Sequence, residues 1–410
     1  MPADRSMRAE LGALILATSL IQLAVGFFGT FLSLRVMLEG FDATAVGVVL
    51  SSYFAGFTVG ALRSGRIIER IGHIRSYAAF GGAVVAATAA MPLLVDAWAW
   101  TLLRAIVGFG CAGVFTTTES WLNAKAPVEQ RGRVFSIYMV GVFAALAIGQ
   151  LLIGRVVVES SVPFSMIVTF FAVALVMVTA TRAEPPRITA AVQLPFAKLF
   201  RAAPVAVVGC AANGLIGGAF YALVPAWMEG EGIARDTIAV LMFAAVVGGL
   251  AFQVPVGRLS DRNDRRTVLA GLAAGLASTA LAIVALPSSL AAVLAPTALL
   301  GGFLSTLYPV CVAHAHDAMP VDQVVAVSGR LILVSGLGSV LGPLLGTRLM
   351  ATLGIDGVLY FMAAVAVLLA LFASSRRVRT PEPAHLERTF EILAPQAASL
   401  AHDPATAEAP

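Results

Sequence analysis

Two charged side chains lie in one long apolar stretch of this sequence, and they are its first candidates for chemistry. Arg104 and Glu119 both fall within residues 98–120, whose other side chains are apolar, small or hydroxylic. A charge inside the hydrocarbon of a bilayer is costly, so such charges generally bind a substrate or a proton or pair with another charge. The two residues are 15 positions apart. On a helix that spacing is about 22 Å, so they cannot pair with each other.

The composition indicates that this stretch belongs to an all-α membrane protein. Apolar residues make up 59% and charged residues 12% of the 410 residues, with a mean hydropathy of +0.90. Soluble domains are nearer to about 25% charged. A membrane-spanning helix needs about 20 mostly apolar residues. Twelve segments meet that need: 11–34, 44–62, 77–95, 98–120, 134–157, 164–181, 205–228, 237–256, 268–286, 290–313, 328–350 and 357–375.

The positive charges predict how these spans are oriented. If the N-terminus is cytoplasmic, 22 of the 27 Lys and Arg residues fall on the cytoplasmic side, four fall on the opposite side and Arg104 lies within a span. Because cytoplasmic loops carry the excess of Lys and Arg, we expect both termini inside the cell. The first apolar run follows Arg5 and Arg8 as in a signal peptide, but its length favours a retained helix. The basic balance therefore reflects topology and does not predict nucleic-acid binding.

A short polar motif occurs twice in the chain, about 192 residues apart. The first copy runs from Gly65 to Arg75 and the second from Gly257 to Arg266, and each joins two spans through a predicted loop. Both copies resemble the motif between helices 2 and 3 and between helices 8 and 9 of major facilitator superfamily transporters. The first copy differs from that motif at Ile67, Glu69 and His73, and the second at Asp264.

Further echoes between the two halves support an internal repeat. Pro127-Val128-Glu129-Gln130 matches Pro320-Val321-Asp322-Gln323, and the run from Gly149 to Gly154 matches the run from Gly342 to Gly346. We therefore expect a bundle over 1–181, a cytoplasmic connector over 182–204 with a short surface helix near 195–201, a second bundle over 205–375 and a disordered tail over 376–410.

A closer resemblance runs over most of residues 10–375. It is carried by runs of residues that look like the YcaD-type branch of bacterial permeases: Ser51-Ser52-Tyr53-Phe54, Glu119-Ser120, Arg131-Gly132-Arg133, Tyr138-Met139, Gln253 to Arg258 and Leu307 to Val310. The resemblance implies two pseudosymmetric six-helix bundles with a substrate cavity between them near mid-membrane.

The resemblance also assigns roles to polar residues within the spans. Arg104 with Gly108 and Ala112 resembles the superfamily's helix 4 motif, in which the arginine is thought to respond to protonation or to substrate charge. The alternative is an arginine that extends to the outer interface. The family plan places further candidate substrate-binding residues around the cavity, although each could instead form an interhelical hydrogen bond worth about 0.6 kcal/mol. These residues are Gln22, Gln150, Asn213, Tyr221, Gln253 and Tyr308.

A second group of residues is predicted to control access from the cytoplasm. Glu69 or Asp261 would contact the N-terminus of a neighbouring helix when this side is closed, since a helix N-terminus favours negative charge. The motif glycines would let helices approach closely. Glu119 is interpreted as a gate or a structural ion pair, with proton carrier as the alternative. The gating set is Gly65, Glu69, Arg70, Gly72, Arg75, Glu119, Arg131, Arg133, Gly257, Asp261, Arg262 and Arg265.

Several other patterns carry less information. Cys111, Cys210 and Cys311 are interpreted as small buried hydrophobic residues, and neither a disulfide nor a metal site is predicted. The segment from His314 to Asp317 is interpreted as a solvated helix end, with a metal cluster or proton relay as the alternative. Gly338, Gly342, Pro343 and Gly346 resemble the superfamily's antiporter signature, but that signature belongs in helix 5, where this chain has Gln150.

Together these patterns predict a secondary transporter that moves a small organic solute across the bacterial inner membrane by alternating access, with proton coupling. No sequence motif of an enzyme occurs, and we expect no cofactor, no nucleic-acid partner and a monomer in contact with lipid. The arginine, amides and tyrosines favour a small organic anion or a polar metabolite. The alternatives are a drug-efflux antiporter and, from another class, a membrane sensor that does not transport.

Overall fold

The computed structural model describes residues 2–127, 130–179, 195–320 and 323–379, with side chains described from residue 11 to residue 376. Within these ranges the chain forms thirteen α-helices and no strand. The helices are α1 (Pro2–Leu38), α2 (Ala43–Ile71), α3 (His73–Ala90), α4 (Ala97–Lys125), α5 (Arg131–Leu151), α6 (Val162–Thr179), α7 (Phe196–Ala202), α8 (Pro204–Gly230), α9 (Arg235–Arg262), α10 (Arg265–Ala285), α11 (Leu290–Asp317), α12 (Val324–Leu353) and α13 (Gly357–Arg379).

Twelve of these helices are long and apolar enough to span a membrane, and the prediction of twelve spans is confirmed. The thirteenth is α7, which lies where a short surface helix was expected. Twelve crossings bring the start of α1 and the end of α13 to the same side, which we call the terminal face, and the opposite side is the far face. The tail after residue 379 and most of the predicted connector lie outside the described residues.

The two helices that carry the central site begin at the far face with an aspartate cap. The side chain of Asp42 accepts hydrogen bonds from the backbone of Thr44 and Ala45 at the start of α2. Asp96 does the same for Trp98 and Ala99 at the start of α4. Each cap satisfies backbone donors that the helix leaves unpaired, a contribution of about 1 kcal/mol.

The duplicated motif is not a loop. Gly65 to Ile71 form the last turns of α2, Gly72 alone breaks the helix and His73 begins α3. Gly72 has φ +82°, a conformation that disfavours side chains, so a glycine is required at this break. A Cβ at Gly65 or Gly72 would meet no atom within 4 Å, so the predicted close approach at these glycines is wrong. The second copy likewise ends α9 and starts α10.

Close helix contacts occur elsewhere, and they repeat between the two halves. A Cβ at Gly56 would lie 1.9 Å from the carbonyl oxygen of Ala105, and one at Gly248 would lie 2.0 Å from that of Ala298. These contacts join α2 to α4 and α9 to α11, at positions 192 and 193 residues apart. Three further glycine contacts repeat with the same offsets: Gly108 on Tyr53 and Gly301 on Ala245, Gly149 on Leu23 and Gly342 on Leu215, and Gly26 on Leu146 and Gly218 on Ser339. The internal repeat of the sequence is thus also a repeat of backbone packing.

The two six-helix bundles, α1–α6 and α8–α13, meet mainly along three pairs of helices. These pairs are α1 with α8, α2 with α12 and α5 with α9. In the far half of the molecule the Ser33 hydroxyl donates a hydrogen bond to the carbonyl of Ala222 at 2.6 Å. A Cβ at Gly47 would lie 2.5 Å from Oγ1 of Thr347, so α2 and α12 are in direct contact there. These contacts close the far side of the interface between the bundles.

A pair of exposed charges adds to this closure. Arg235 at the start of α9 binds both carboxylate oxygens of Glu159, at 2.8 and 3.2 Å. Glu159 belongs to the segment between α5 and α6, so the pair joins the two bundles. Hydrogen bonds from Arg235 hold the pKa of the Glu159 carboxyl below its ordinary value.

Candidate functional site between the two bundles

Arg104 is held between two aromatic rings in the far half of the N-terminal bundle. Its guanidinium carbon lies 4.6 Å from the ring centroids of both Phe28 on α1 and Tyr53 on α2. The side chain is buried, with the residue only 6% exposed, so the alternative of an arginine that reaches the outer interface is wrong. Within the described residues Arg104 has no hydrogen-bond or ion-pair partner.

The arginine faces a pocket that we call the arginine pocket. Its polar lining consists of Arg104, Thr30, Gln150, Tyr53 and Tyr221, and its volume is about 660 Å³ including the space toward its opening. All of the lining belongs to the N-terminal bundle except Tyr221 and Ala222 of α8. Ala222 is the residue whose carbonyl is bound by Ser33, so this hydrogen bond forms part of the pocket's far wall.

A larger cavity, the central cavity, adjoins the arginine pocket on its terminal side. It has a volume of about 930 Å³, including the space toward its opening, and is lined by both bundles. Along α5 the central cavity is lined by Val142, Phe143 and Leu146, whereas the arginine pocket is lined by Leu146 and Gln150. Since α5 runs from the terminal face to the far face, the two spaces are stacked across the membrane. They share four lining residues: Tyr53, Phe54, Leu146 and Tyr221.

Five of the seven predicted substrate-binding residues lie on these two spaces. Arg104 and Gln150 line the arginine pocket, Gln22 and Asn213 line the central cavity and Tyr221 lines both. Gln150 is also an interhelical link, because Thr30 donates to its Oε1 and its Nε2 donates to the carbonyl of Gly26 at 3.2 Å.

Gln253 and Tyr308 line neither of these two spaces, and their role in substrate binding stays a prediction. Gln253 is fully buried, and its Nε2 donates to the carbonyl of Ser305 on α11 at 3.2 Å. It thus makes the interhelical bond that was its alternative role. Tyr308 is 2% exposed and belongs to the apolar core that runs through both bundles.

The described residues contain no group of three or more His, Cys, Asp or Glu side chains that could hold a metal ion. The chemistry of the site is therefore that of one arginine, three amides, two phenols and hydroxyl groups around an apolar space.

Comparison with known proteins identifies the family. The family model described as the Major Facilitator Superfamily matches residues 14–246 and 206–404. The chain belongs to the major facilitator superfamily. It is 31% identical over 373 residues to the uncharacterized MFS-type transporter YcaD of Shigella flexneri serotype 5b, covering 89% of this chain and 95% of that protein. The YcaD transporter of Escherichia coli O7:K1 is likewise 31% identical, over 367 residues with the same coverage.

Solved transporter structures show the same fold at low identity. A mutant of the nucleoside transporter NupG superposes with a TM-score of 0.78 at 12% identity, covering 90% of this chain and 100% of that one. A bacterial homolog of the human lysosomal transporter Spinster, in an inward-facing and unoccupied conformation, superposes with a TM-score of 0.68 at 16% identity, covering 91% and 96%. The superfamily assignment and the fold of two six-helix bundles were both predicted correctly.

For a superfamily member, the most informative residues that the sequence analysis missed are Phe28 and Tyr53. They determine how Arg104 is held, yet they precede it by 76 and 51 positions. Tyr53 occurs in one of the runs that carried the resemblance to the YcaD-type branch, but nothing in that run indicates contact with an arginine. One usable signal was the occurrence of small residues in spans 2 and 4, which lets these two helices pack closely. Their packing brings the Tyr53 carbonyl against Gly108, which lies one helical turn after Arg104.

Glu119 is buried near the terminal end of α4 in this superfamily member. It is 1% exposed, and the Tyr138 hydroxyl on α5 donates to its Oε1 at 3.3 Å. Arg133, one of its predicted partners, is exposed on the first turn of α5. Whether Glu119 acts as a gate, a structural ion pair or a proton carrier stays a prediction.

The terminal face contains a buried charge cluster in the second motif copy. Nε of Arg265 lies 2.5 Å from Oδ2 of Asp317, and Nη1 binds Ser260 at 3.0 Å and Asp261 at 3.5 Å. The same cluster corrects the interpretation of residues 314–317 as a solvated helix end, because His314 is 5% and Asp317 8% exposed. The aspartate draws this helix end inward by pairing with Arg265.

The other gating residues of the motif face solvent in this state. Glu69, Arg70, Arg75 and Arg262 are exposed, and Asp261 binds Arg265 of its own motif. Between the helices of the second copy, burial raises the pKa of the Asp264 carboxyl, but hydrogen bonds from Arg266 outweigh burial and bring it below its ordinary value. Gating by these residues stays a prediction.

Proposed function

We propose that this protein is a secondary transporter that carries a small organic anion across the bacterial inner membrane by alternating access. The observation that carries the proposal is the unpaired, buried guanidinium of Arg104 on the wall of a pocket that ends at the bundle interface. Burying a charge without a counterion is strongly unfavourable. A bound carboxylate, phosphate or sulfonate group would supply that counterion and could form the paired hydrogen bonds that a guanidinium favours.

The arrangement of the bundles supports alternating access. The far side is closed by the contacts of Ser33 with Ala222, Gly47 with Thr347 and Arg235 with Glu159. None of these three contacts is a buried ion pair, and a rocking motion of one bundle on the other would separate all three. The bias of Lys and Arg residues favours the terminal face as the cytoplasmic side, which makes the closed side periplasmic.

Coupling to protons is the second part of the proposal, and Glu119 is its carboxylate. Among its described residues the N-terminal bundle buries one arginine, Arg104, and one carboxylate, Glu119, at opposite ends of α4. Binding of an anion at Arg104 would add a negative charge to this bundle. Uptake of a proton by Glu119 would cancel that charge. The bundle with bound anion and proton would then have the same net buried charge as the empty bundle during the conformational change between the two access states.

Drug efflux is the alternative. The apolar lining of the central cavity favours it, but recognition of cationic drugs would be expected to use a carboxylate. Neither the central cavity nor the arginine pocket has one on its lining in the described part of the chain. The anion is therefore the better proposal.

The test is ligand-dependent thermal stabilisation of the purified protein in lipid nanodiscs, with benzoate, octanoate, a nucleoside, a dipeptide and tetraphenylphosphonium as probes. We expect only anions to stabilise the wild type, and Arg104→Gln to abolish the effect. The matched control is Arg348→Gln, which removes an exposed arginine at the far end of α12. Stabilisation by tetraphenylphosphonium alone, or equal stabilisation of Arg104→Gln by the anions, would refute the proposal.

A further inference from the structure

We infer that the transported anion is amphipathic, with a single anionic head at Arg104 and an apolar body in the central cavity. The inference rests on the proposed function and specifies its substrate class. It follows from the chemistry, order and connection of the two spaces.

The two spaces differ sharply in chemistry. The arginine pocket holds the only charged side chain on either lining within the described residues, together with Thr30 and Gln150. The central cavity is lined mainly by apolar side chains, among them Phe54, Phe57, Val142, Phe143, Leu304 and Ile332. Its polar groups are amides and hydroxyls without charge, such as Asn213 and Ser335. A fully polar anion would satisfy the first space and leave the second filled with water against apolar walls.

The connection between the spaces fixes the direction of the ligand. A ligand whose head binds Arg104 cannot extend toward the far face, because the bond of Ser33 with Ala222 closes that side. Its remaining length must pass the shared residues Tyr53 and Tyr221 into the central cavity. Both residues present an aromatic ring to this passage, and rings of this kind accommodate an alkyl or aryl body.

The internal repeat shows that a second anionic group has no partner. At the positions 192 or 193 residues after Tyr53 and Arg104, the C-terminal bundle has Ala245 and Thr297. Thr297 is buried and uncharged. The site thus provides one cation, which fits a monoanion and disfavours a dicarboxylate.

The length of the site predicts the length of the ligand. Gln150 lines the arginine pocket and Val142 lines the central cavity on the same helix. Eight residues of α-helix separate them, which is about 12 Å. An unbranched carboxylate of medium length or an arylalkanoate extends over such a distance, whereas acetate occupies only the head region.

Substitution of two glycines by a larger residue would narrow the central cavity and the arginine pocket separately. Gly217 lines the central cavity, and a Cβ there would make only an ordinary contact with Leu304 at 3.9 Å. Gly29 lines the arginine pocket, and a Cβ there would meet nothing within 4 Å. Gly217→Leu and Gly29→Leu should therefore fold and place a side chain in one space each.

The experiment is a binding titration in nanodiscs with acetate, butyrate, hexanoate, octanoate and decanoate, with the matching alcohols and succinate as controls. For wild type we expect affinity to rise roughly threefold to fourfold per added CH₂ until the cavity is full. Gly217→Leu should abolish the increase in affinity for octanoate and decanoate over butyrate, while the affinity for butyrate stays as in the wild type. Gly29→Leu should weaken all carboxylates alike. Empty nanodiscs and the Arg104→Gln variant measure partition into lipid, which is subtracted.

The outcomes separate this inference from the proposed function. If short anions or succinate bind at Arg104 as tightly as octanoate, the amphipathic substrate is wrong and the anion transporter stands. If no carboxylate binds in an Arg104-dependent manner, both are wrong. If the alcohols bind as tightly as the carboxylates and Gly217→Leu blocks both, the cavity is an apolar drug site and the inference is likewise overturned.

Discussion

The guanidinium of Arg104 lies over the ring of Tyr53, with 4.6 Å between the guanidinium carbon and the ring centroid. One turn further along α4, Gly108 touches the carbonyl of the same Tyr53. The backbone of Tyr53 is therefore positioned by its contact with Gly108, and its ring positions the guanidinium of Arg104. The cation keeps its position without any hydrogen bond in the described part of the chain, which leaves its donors available to a ligand.

Replacement of Tyr53 should weaken anion binding through Arg104. Cation–π contacts of a desolvated arginine are worth about 2 kcal/mol, so Tyr53→Leu should reduce the affinity for octanoate by a factor of about ten to thirty. Tyr53→Phe keeps the ring and should change the affinity by less than about threefold. Equilibrium binding to the two variants measures the difference, and equal losses would show that the hydroxyl and not the ring is responsible.

Glu119→Gln should uncouple transport from the proton gradient. The amide cannot take up the proton, so uptake of octanoate into proteoliposomes should no longer respond to an imposed pH gradient, while exchange of labelled for unlabelled octanoate continues. Tyr138→Phe removes one hydrogen bond to this carboxylate and serves as the control, with coupling retained. A gradient response in Glu119→Gln equal to that of wild type would assign the proton to another group.

Gly108→Ala should destabilise the fold. The added methyl group would lie 1.9 Å from the carbonyl oxygen of Tyr53, so α2 and α4 must separate, at a cost of about 1 to 3 kcal/mol. Gly65→Ala on the same pair of helices meets no atom within 4 Å and should be neutral or stabilising by up to about 1 kcal/mol. Thermal unfolding in nanodiscs compares the two variants, and a stable Gly108→Ala protein would contradict the close packing.

Removal of one partner from the buried pair of Arg265 and Asp317 should be strongly destabilising. Both side chains are about 95% buried, and an uncompensated buried charge costs about 3 to 5 kcal/mol. The unfolding temperature of Asp317→Asn should therefore fall well below that of wild type. The double variant Arg265→Met with Asp317→Leu removes both buried charges and takes a partner only from the more exposed Asp261, so it should recover most of the loss. A double variant as unstable as Asp317→Asn would show that the charges have a role beyond mutual compensation.

The pair of Arg235 and Glu159 predicts a pH dependence of the far-side closure. Because the folded-state pKa of Glu159 is lowered, its contribution is complete above the unfolded pKa of about 4.3 and is lost as pH falls through the folded pKa. The difference in unfolding temperature between wild type and Glu159→Gln should thus be constant from neutral pH down to about 5 and then disappear. Since both side chains are partly exposed, the difference should be small and should shrink with added salt. A difference that grows as pH falls has the wrong sign for this pair.

The global architecture could be predicted from the sequence because the bilayer imposes length and hydropathy on every span. The twelve spans follow from those two quantities, and the repeat follows from motifs that recur about 192 residues apart. The ends of helices are less constrained, since polar residues such as Glu69 and Arg70 continue a helix into water without penalty. That is why the first motif copy was taken for a loop when only Gly72 interrupts the helices.

The site could be predicted in part. Arg104 was identifiable because a buried charge is rare, and the amides because few polar residues occur in the spans. Which amide faces the cavity depends on the rotation of each helix about its axis, which glycine contacts determine in three dimensions. Gln150 faces the pocket while Gln253 turns to Ser305, although the two occur in similar apolar surroundings in the sequence.

The arginine pocket is formed almost entirely by the N-terminal bundle, and this has a consequence for the transport cycle. Apart from Tyr221 and Ala222, its described walls belong to a single bundle, and the one cation among these described lining residues, Arg104, belongs to the same bundle. We therefore expect the anionic head of a bound ligand to stay in contact with the N-terminal bundle throughout the cycle, while the C-terminal bundle moves relative to it. Recognition of the anionic head would then depend on the N-terminal bundle alone, whereas selection of the apolar body would depend on both bundles, because both line the central cavity.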